Sequence, residues 1–192
     1  MSAATTVRAA AEPRPLSPWR RFAAAVEAFN VCAGYASGVV IIVTSLVIVY
    51  EVLVRYFLQW PTDWEIEASI ILLIIATFMS AAFTQQKRGH VTIEVLEHVL
   101  SPKVNYWRML AGDALSLVFC GFVAFNAWEL FHEAWAEGRV SNSVWGPPMW
   151  VPFLSMAVGL TMLSLQIVIQ IVDALNTRVE PPAPADAAVW KE

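Results

Sequence analysis

The long apolar stretches of this sequence contain no histidine and almost no charge. A haem held between two spans needs facing histidines inside the bilayer, and His90, His98 and His132 all fall outside the apolar blocks. Cysteine is nearly absent as well: Cys32 and Cys120 both sit inside apolar blocks, as small hydrophobes and not as a disulfide or zinc framework. Metal-binding spacings, a glycine-rich phosphate loop and a nucleophile elbow are missing, so no catalytic residue, metal or cofactor is expected. Charged residues make up 15% of the chain, against about 25% in an ordinary soluble domain. The net charge of −4 comes without a basic stripe, which argues against a nucleic-acid partner.

What is present is apolar and arranged in blocks. Apolar residues form 58% of the chain and gather at about 31–54, 66–83, 109–128 and 149–172. Roughly 20 apolar residues of helix cross a hydrocarbon core about 30 Å thick. The fold class is therefore an all-α membrane protein with four transmembrane helices, occupying about residues 17–175. Four arginines precede the first block, but it is too long for a signal h-region and should remain as the first span. Residues 1–16, rich in Ala, Thr and Pro, and 176–192, with Pro181, Pro182 and Pro184, read as flexible tails.

Two further segments show helical periodicity at lower apolar content. In 17–30, Ser17 and Pro18 suit a helix start, and Trp19, Phe22, Val26 and Phe29 recur at spacings of three and four. In 91–100, apolar positions 91, 95, 96, 99 and 100 alternate with polar ones before Pro102. Both suit short amphipathic helices in the membrane interface, in contact with lipid. For the first, the competing reading is a solvated helix packed on another subunit.

Orientation follows from lysine and arginine near the spans. Arg8, Arg14, Arg20 and Arg21 precede the first span, and Lys87, Arg88, Lys103 and Arg108 lie between the second and third. The other connections hold only Arg55 and Arg139. That bias places the N-terminus, the middle loop and, after an even number of spans, the C-terminus in the cytoplasm. Tyr56, Trp60 and Trp64 then form an aromatic belt at the outer face.

Glu51 and Arg55 are the most conspicuous charges within a block. Four apart with Glu first, they suit an interfacial helical ion pair with Arg55 reaching outward; the functional alternative is a step in a proton or ion path. Asp113 similarly lies one turn inside the third span and suits a cap or pair. Small residues speak of close helix packing. Gly34, Ser37 and Gly38 patch the first span, Thr77, Ser80, Ala81 and Thr84 stripe the second, and Ser155 and Gly159 repeat a four-residue spacing in the fourth. Asn126, Gln166 and Gln170 also need polar partners in lipid. Composition leaves open whether these serve packing within the chain or contact with another subunit.

In order and spacing, several short motifs resemble one family. Glu51, Arg55, Tyr56 and Phe57 are followed by Trp64, Glu65, Ile66, Glu67 and Ala68, then by Phe78 to Ala82, then by Gly89, His90 and Val91. With Pro147, Pro148, Met149 and Trp150 at the entry to the fourth span, residues 30–175 resemble the small membrane subunit (DctQ type) of tripartite ATP-independent periplasmic (TRAP) transporters. Ser80 stands where that family usually has glycine, and Ile75 where an aromatic is frequent. The resemblance implies a scaffold without a catalytic or ion site of its own. Its partners would be a large DctM-type membrane subunit, carrying substrate and coupling sodium in an elevator-like motion, and a periplasmic binding protein that delivers an organic acid. Asp63, Glu65, Glu67 and Arg139 are then candidates for the surface that seats the binding protein. A second reading, from another class, is a membrane anchor of a respiratory complex, which would need histidines within the spans.

Overall fold

The computed structural model describes residues 18–60, 63–87 and 102–176. The expected tail at 1–16, the expected helix at 91–100 and the tail expected at 176–192, except Asn176, which ends the last helix, lie outside these residues. Four helices make up nearly all of what is described, and each is long and apolar enough to cross a membrane. Among the described residues the only strand-like feature is one isolated bridge, Val140 to Pro148.

Helix α1 runs Pro18–Leu53 and closes in a wide π turn, Val54–Leu58. Gln59 then takes a left-handed conformation (φ 54°), which ends the helix. The amphipathic stretch 18–30 is thus helical but does not lie apart: it runs without a break into the first span. Its inner face explains why, since Ala23 and Val26 pack with Ile169, Trp19 and Leu165. Helix α2 spans Glu65–Gln86, with Glu65 and Glu67 in its first turn, where the helix dipole favours carboxylates. Helix α3, Pro102–Ala136, extends the expected third span at both ends; helix α4 covers Trp150–Asn176. At 1.5 Å per residue α1 and α3 reach about 50 Å, well beyond a hydrocarbon core of about 30 Å, whereas α2 barely exceeds it.

The helices form a row and not a closed bundle. Helix α2 packs between α1 and α4, and α4 packs between α2 and α3. Helix α1 touches α4 only slightly, and α3 has no substantial contact with α1 or α2. The spatial order is therefore α1, α2, α4, α3, with α1 and α3 at the edges. Chain direction alternates, so one end of the row carries the α1–α2 and α3–α4 connections (the loop end) and the other the N-terminus of α1 and the C-termini of α2 and α4 (the tail end).

Helix α1 makes its contacts along a narrow seam. Its buried positions are 23, 26, 30, 33, 37, 44, 51 and 54, with 40 and 47 half-buried between them. That alternation of three and four is a heptad, the repeat that keeps one stripe facing a neighbour. From Asn30 onward every seventh position on it is polar: Asn30, Ser37, Thr44, Glu51. Ser37 and Thr44 satisfy their hydroxyls on their own helix, donating to the carbonyls of Ala33 and Val40 at 2.8 Å each. Two glycines set the close approaches. A Cβ on Gly34 would strike the Phe83 ring, and one on Gly159 would overlap the Phe78 backbone carbonyl.

Candidate subunit interface

Of the small and polar residues singled out above, the ten other than Gln166 and Gln170 are the candidates for a partner-subunit interface, and they separate by position. Ser37 lies in the α1 seam and Gly34 beside it against Phe83, and Ser155 and Gly159 are buried in α4. These four serve packing within the chain. Gly34 and Gly159 make their close contacts with α2 of the same chain. The others face outward or partly so. Around Gly38 there is open space. Thr77 and Thr84 are exposed, while Ser80, Ala81 and Asn126 are half-buried. On α2 the exposed positions Ile66, Ile70, Leu73, Thr77 and Thr84 fall on one stripe, pointing away from both neighbouring helices. The hydroxyls on it are already satisfied: Thr77 donates to Leu73 O at 2.7 Å, and Thr84 to Ser80 O at 3.1 Å. Asn126 does the same on α3, donating to Phe122 O at 2.7 Å. A partner or lipid tails can therefore cover the α2 stripe without stranding the Thr77 or Thr84 hydroxyl.

At the loop end the connection between α3 and α4 is pinned down. Gly138 and Gly146 adopt left-handed conformations (φ 60° and 57°) that turn the chain. Ser141 N donates to Pro147 O and Met149 N to Arg139 O, both at 2.9 Å. Glu67, from α2, accepts hydroxyl bonds from Ser141 (2.8 Å) and Ser143 (2.5 Å), and the Ser143 oxygen accepts Gly146 N–H. Hydrogen bonds to an ionised carboxylate contribute about 1.5–3 kcal/mol each. Trp64 meets Trp145 edge to face with centroids 6.4 Å apart, closing the same corner.

Of the four residues considered for docking a binding protein, two are otherwise engaged. Glu65 is 2% exposed, and Glu67 is the anchor of the loop. Asp63 and Arg139 are exposed. The Arg139 guanidinium contacts Glu133 and Glu137 at 2.6 Å each, and the Glu137 hydrogen bond, aided by both negative charges, raises its pKa above the usual arginine value. Glu51 and Arg55 meet at 2.8 Å, with Glu51 in the buried seam and Arg55 more than half exposed. Asp113 is half-buried and has a partner.

Polar contacts cross between helices at the tail end, and they give Gln166 and Gln170 the partners that lipid cannot supply, through Asn30 and Gln85, which the sequence did not signal. Asn30 donates to Gln166 Oε1 at 2.8 Å, joining α1 to α4. Gln85 and Gln170 exchange two bonds, Gln85 Nε2 to Gln170 Oε1 at 2.9 Å and Gln170 Nε2 to Gln85 O at 2.8 Å. Arg20 reaches Asp173 at 3.1 Å. Farther along, Trp128 Nε1 donates to Thr161 on α4 at 3.0 Å. The usable signal for Asn30 was its spacing of seven from Ser37, Thr44 and Glu51.

Among the described residues no three His, Cys, Asp or Glu side chains gather as a metal site. Cys32 and Cys120 are free thiols on the two edge helices of the row. His132, the one histidine among the described residues, is exposed near the loop end of α3, which gives a redox anchor no support.

Four spanning-type helices in an open row, held by glycine contacts and amide pairs, define a multi-pass membrane subunit whose residues are spent on packing. The chain belongs to a family of such subunits: the model for the DctQ component of tripartite ATP-independent periplasmic transporters matches residues 44–177. It is the small membrane subunit of a TRAP transporter, and the family is one of transporter components, not of enzymes. The match begins at Thr44, midway along α1, so the half of the α1 seam that holds Asn30 and Ser37 lies outside it. No curated protein matches the chain.

Proposed function

We propose that this subunit is the static scaffold of a sodium-coupled importer of organic acids. It sits in the bacterial inner membrane with both termini in the cytoplasm. A large DctM-type subunit moves the substrate and holds the coupling sodium, and a periplasmic binding protein delivers the substrate. The observation that carries this reading is the open row. Its helices leave whole faces of α1, α2 and α3 uncovered, as a subunit that widens another protein's framework should. The scarcity of ionisable groups within the expected spans supports it too: among the described residues they are the Glu51–Arg55 pair at the outer end of α1, Glu67 under the pinned loop, and Asp113 a turn inside the expected third span. The orientation rests on the arginine and lysine bias, eight near the cytoplasmic segments against two in the outer connections.

Reconstitution tests the reading. Liposomes holding this chain alone should show no sodium-dependent uptake, and uptake should appear once the large subunit and the binding protein are added. Uptake by this chain alone would overturn the scaffold role. Cysteines introduced at Thr62 and Asn142, with Cys32 and Cys120 replaced, should react with an impermeant reagent from the periplasm. One at Ser101 should not; labelling there reverses the orientation.

A further inference from the structure

The outward side of α3 carries a groove of about 630 Å³ that runs from Phe125 past Glu129, His132 and Glu133 to Glu137. All five of these side chains are exposed along it. Their depth can be read from α4, the neighbour on the other side. The Trp128 indole donates to Thr161 at 3.0 Å, so Glu129 lies level with the Thr161 turn. Asp173, paired with Arg20, marks where α4 leaves the apolar layer at the tail end. From there to Thr161 is about 18 Å at 1.5 Å per residue, and a hydrocarbon core is about 30 Å thick. The loop-end boundary therefore lies on the order of 10 Å beyond Glu129. The third span continues past its expected end at 128, and Glu129 is a carboxylate inside the apolar layer, turned away from the row.

An ionisable group at such depth normally pairs or faces a protein interior, because facing lipid is costly. Within this chain Glu129 does neither. No described residue forms a hydrogen bond or ion pair with it, and Arg139, nearer the surface, is spent on Glu133 and Glu137. Asn126, a turn deeper, gives one N–H to Phe122 O at 2.7 Å, and no described residue bonds its oxygen. What is missing is a cationic donor at this depth. Lipid ammonium groups stay at the boundary, on the order of 10 Å away, and acyl tails have no donor. A second copy of this chain has none to offer either. In the loop halves of the described helices and their connections the cations are Arg139 and Arg55, the latter held on Glu51 at 2.8 Å.

We propose that a spanning helix of the large subunit lies along this side of α3 and sets a lysine or arginine against Glu129, with Asn126 bonding the same helix a turn deeper. A charge-assisted bond there is both strong and hard to replace, since no water competes for it. This contact rests on the scaffold reading, and it holds whether or not the α2 stripe is also covered.

The test is copurification of the tagged full-length chain with the co-expressed large subunit. Glu129→Gln should lower recovery of the large subunit at least fivefold and Glu129→Lys should abolish it, while each variant chain alone melts like the parent. Full recovery with Glu129→Gln overturns the contact. So does a loss of recovery matched by lower melting of the isolated chain, or an equal loss with Glu137→Gln at the surface end of the groove. Benzoylphenylalanine in place of the exposed Phe125 should cross-link to the large subunit on illumination, and cross-links only to lipid or to a second copy overturn the contact as well. Failure of the parent chain itself to retain the large subunit is a different result, which sinks the scaffold reading and this contact with it.

Discussion

Helices α1 and α4 are both long and apolar, yet they live in different surroundings. Between Trp150 and Ala174 no residue of α4 is exposed, because α2 flanks it on one side and α3 on the other. In α1 only the heptad seam is covered, and large side chains such as Tyr35, Val39, Ile42 and Leu46 are more than 60% exposed. In water that exposure would be a defect; in a bilayer it costs nothing, since lipid tails are as apolar as the side chains. Position in the row thus decides what a substitution does. A change in α4 acts on the fold, and a change on the outer face of α1 or α2 acts on whatever covers that face.

The sharpest way to break this contrast is a pair of glycine substitutions. Gly159→Leu drives a side chain into the Phe78 backbone, and overpacking of this kind costs about 1–3 kcal/mol or more. The isolated chain should lose folded yield or melt several degrees lower in detergent. Gly38→Leu meets open space, and its melting temperature should not change. Equal losses for the two would erase the distinction between centre and edge.

A smaller effect is expected at the loop end. Glu67→Ala strands the Ser141 and Ser143 hydroxyls and should cost about 1–3 kcal/mol locally. Amide hydrogen exchange across 138–149 should quicken while the middle of α4 stays protected. Uniform quickening along the chain would mean that the loop and the row unfold together. At the tail end, Asn30→Leu and Gln166→Leu singly should each destabilise more than half as much as the double variant. The coupling expected from interhelical bonds in membranes is about 0.6–1.7 kcal/mol. A coupling of zero would make that bond incidental. The smallest change belongs to Thr84→Ala, whose hydroxyl bonds only its own helix, with a stability change within about 0.5 kcal/mol.

The spans were legible because the bilayer imposes a length on them, and the Glu51–Arg55 pair because a four-residue spacing is a contact within one helix. What crosses between helices was harder to read. Gly34, Ser37 and Gly38 look like one patch in sequence, yet they fall on different faces once the heptad of α1 is followed: Ser37 is in the seam and Gly38 outside it. Amphipathy at 17–30 suggested the interface and could not show that Ala23 and Val26 pack beneath Ile169, a residue nearly 150 positions away. Glu65 looked like surface charge because it opens a helix; its burial depends on packing that no local pattern encodes. The row itself was invisible for the same reason, since four spans are equally compatible with a closed bundle.

The scaffold role proposed above predicts that the large subunit covers a face the row leaves open, and the outward stripe of α2 is the face to test. It is tested by capturing that subunit from solubilised membranes with tagged parent and Thr77→Leu chains, alongside the melting of each chain alone. Enlarging Thr77 should reduce capture at least severalfold and leave the isolated chain's melting unchanged. Undiminished capture together with a destabilised chain would contradict the account and make the stripe part of the fold.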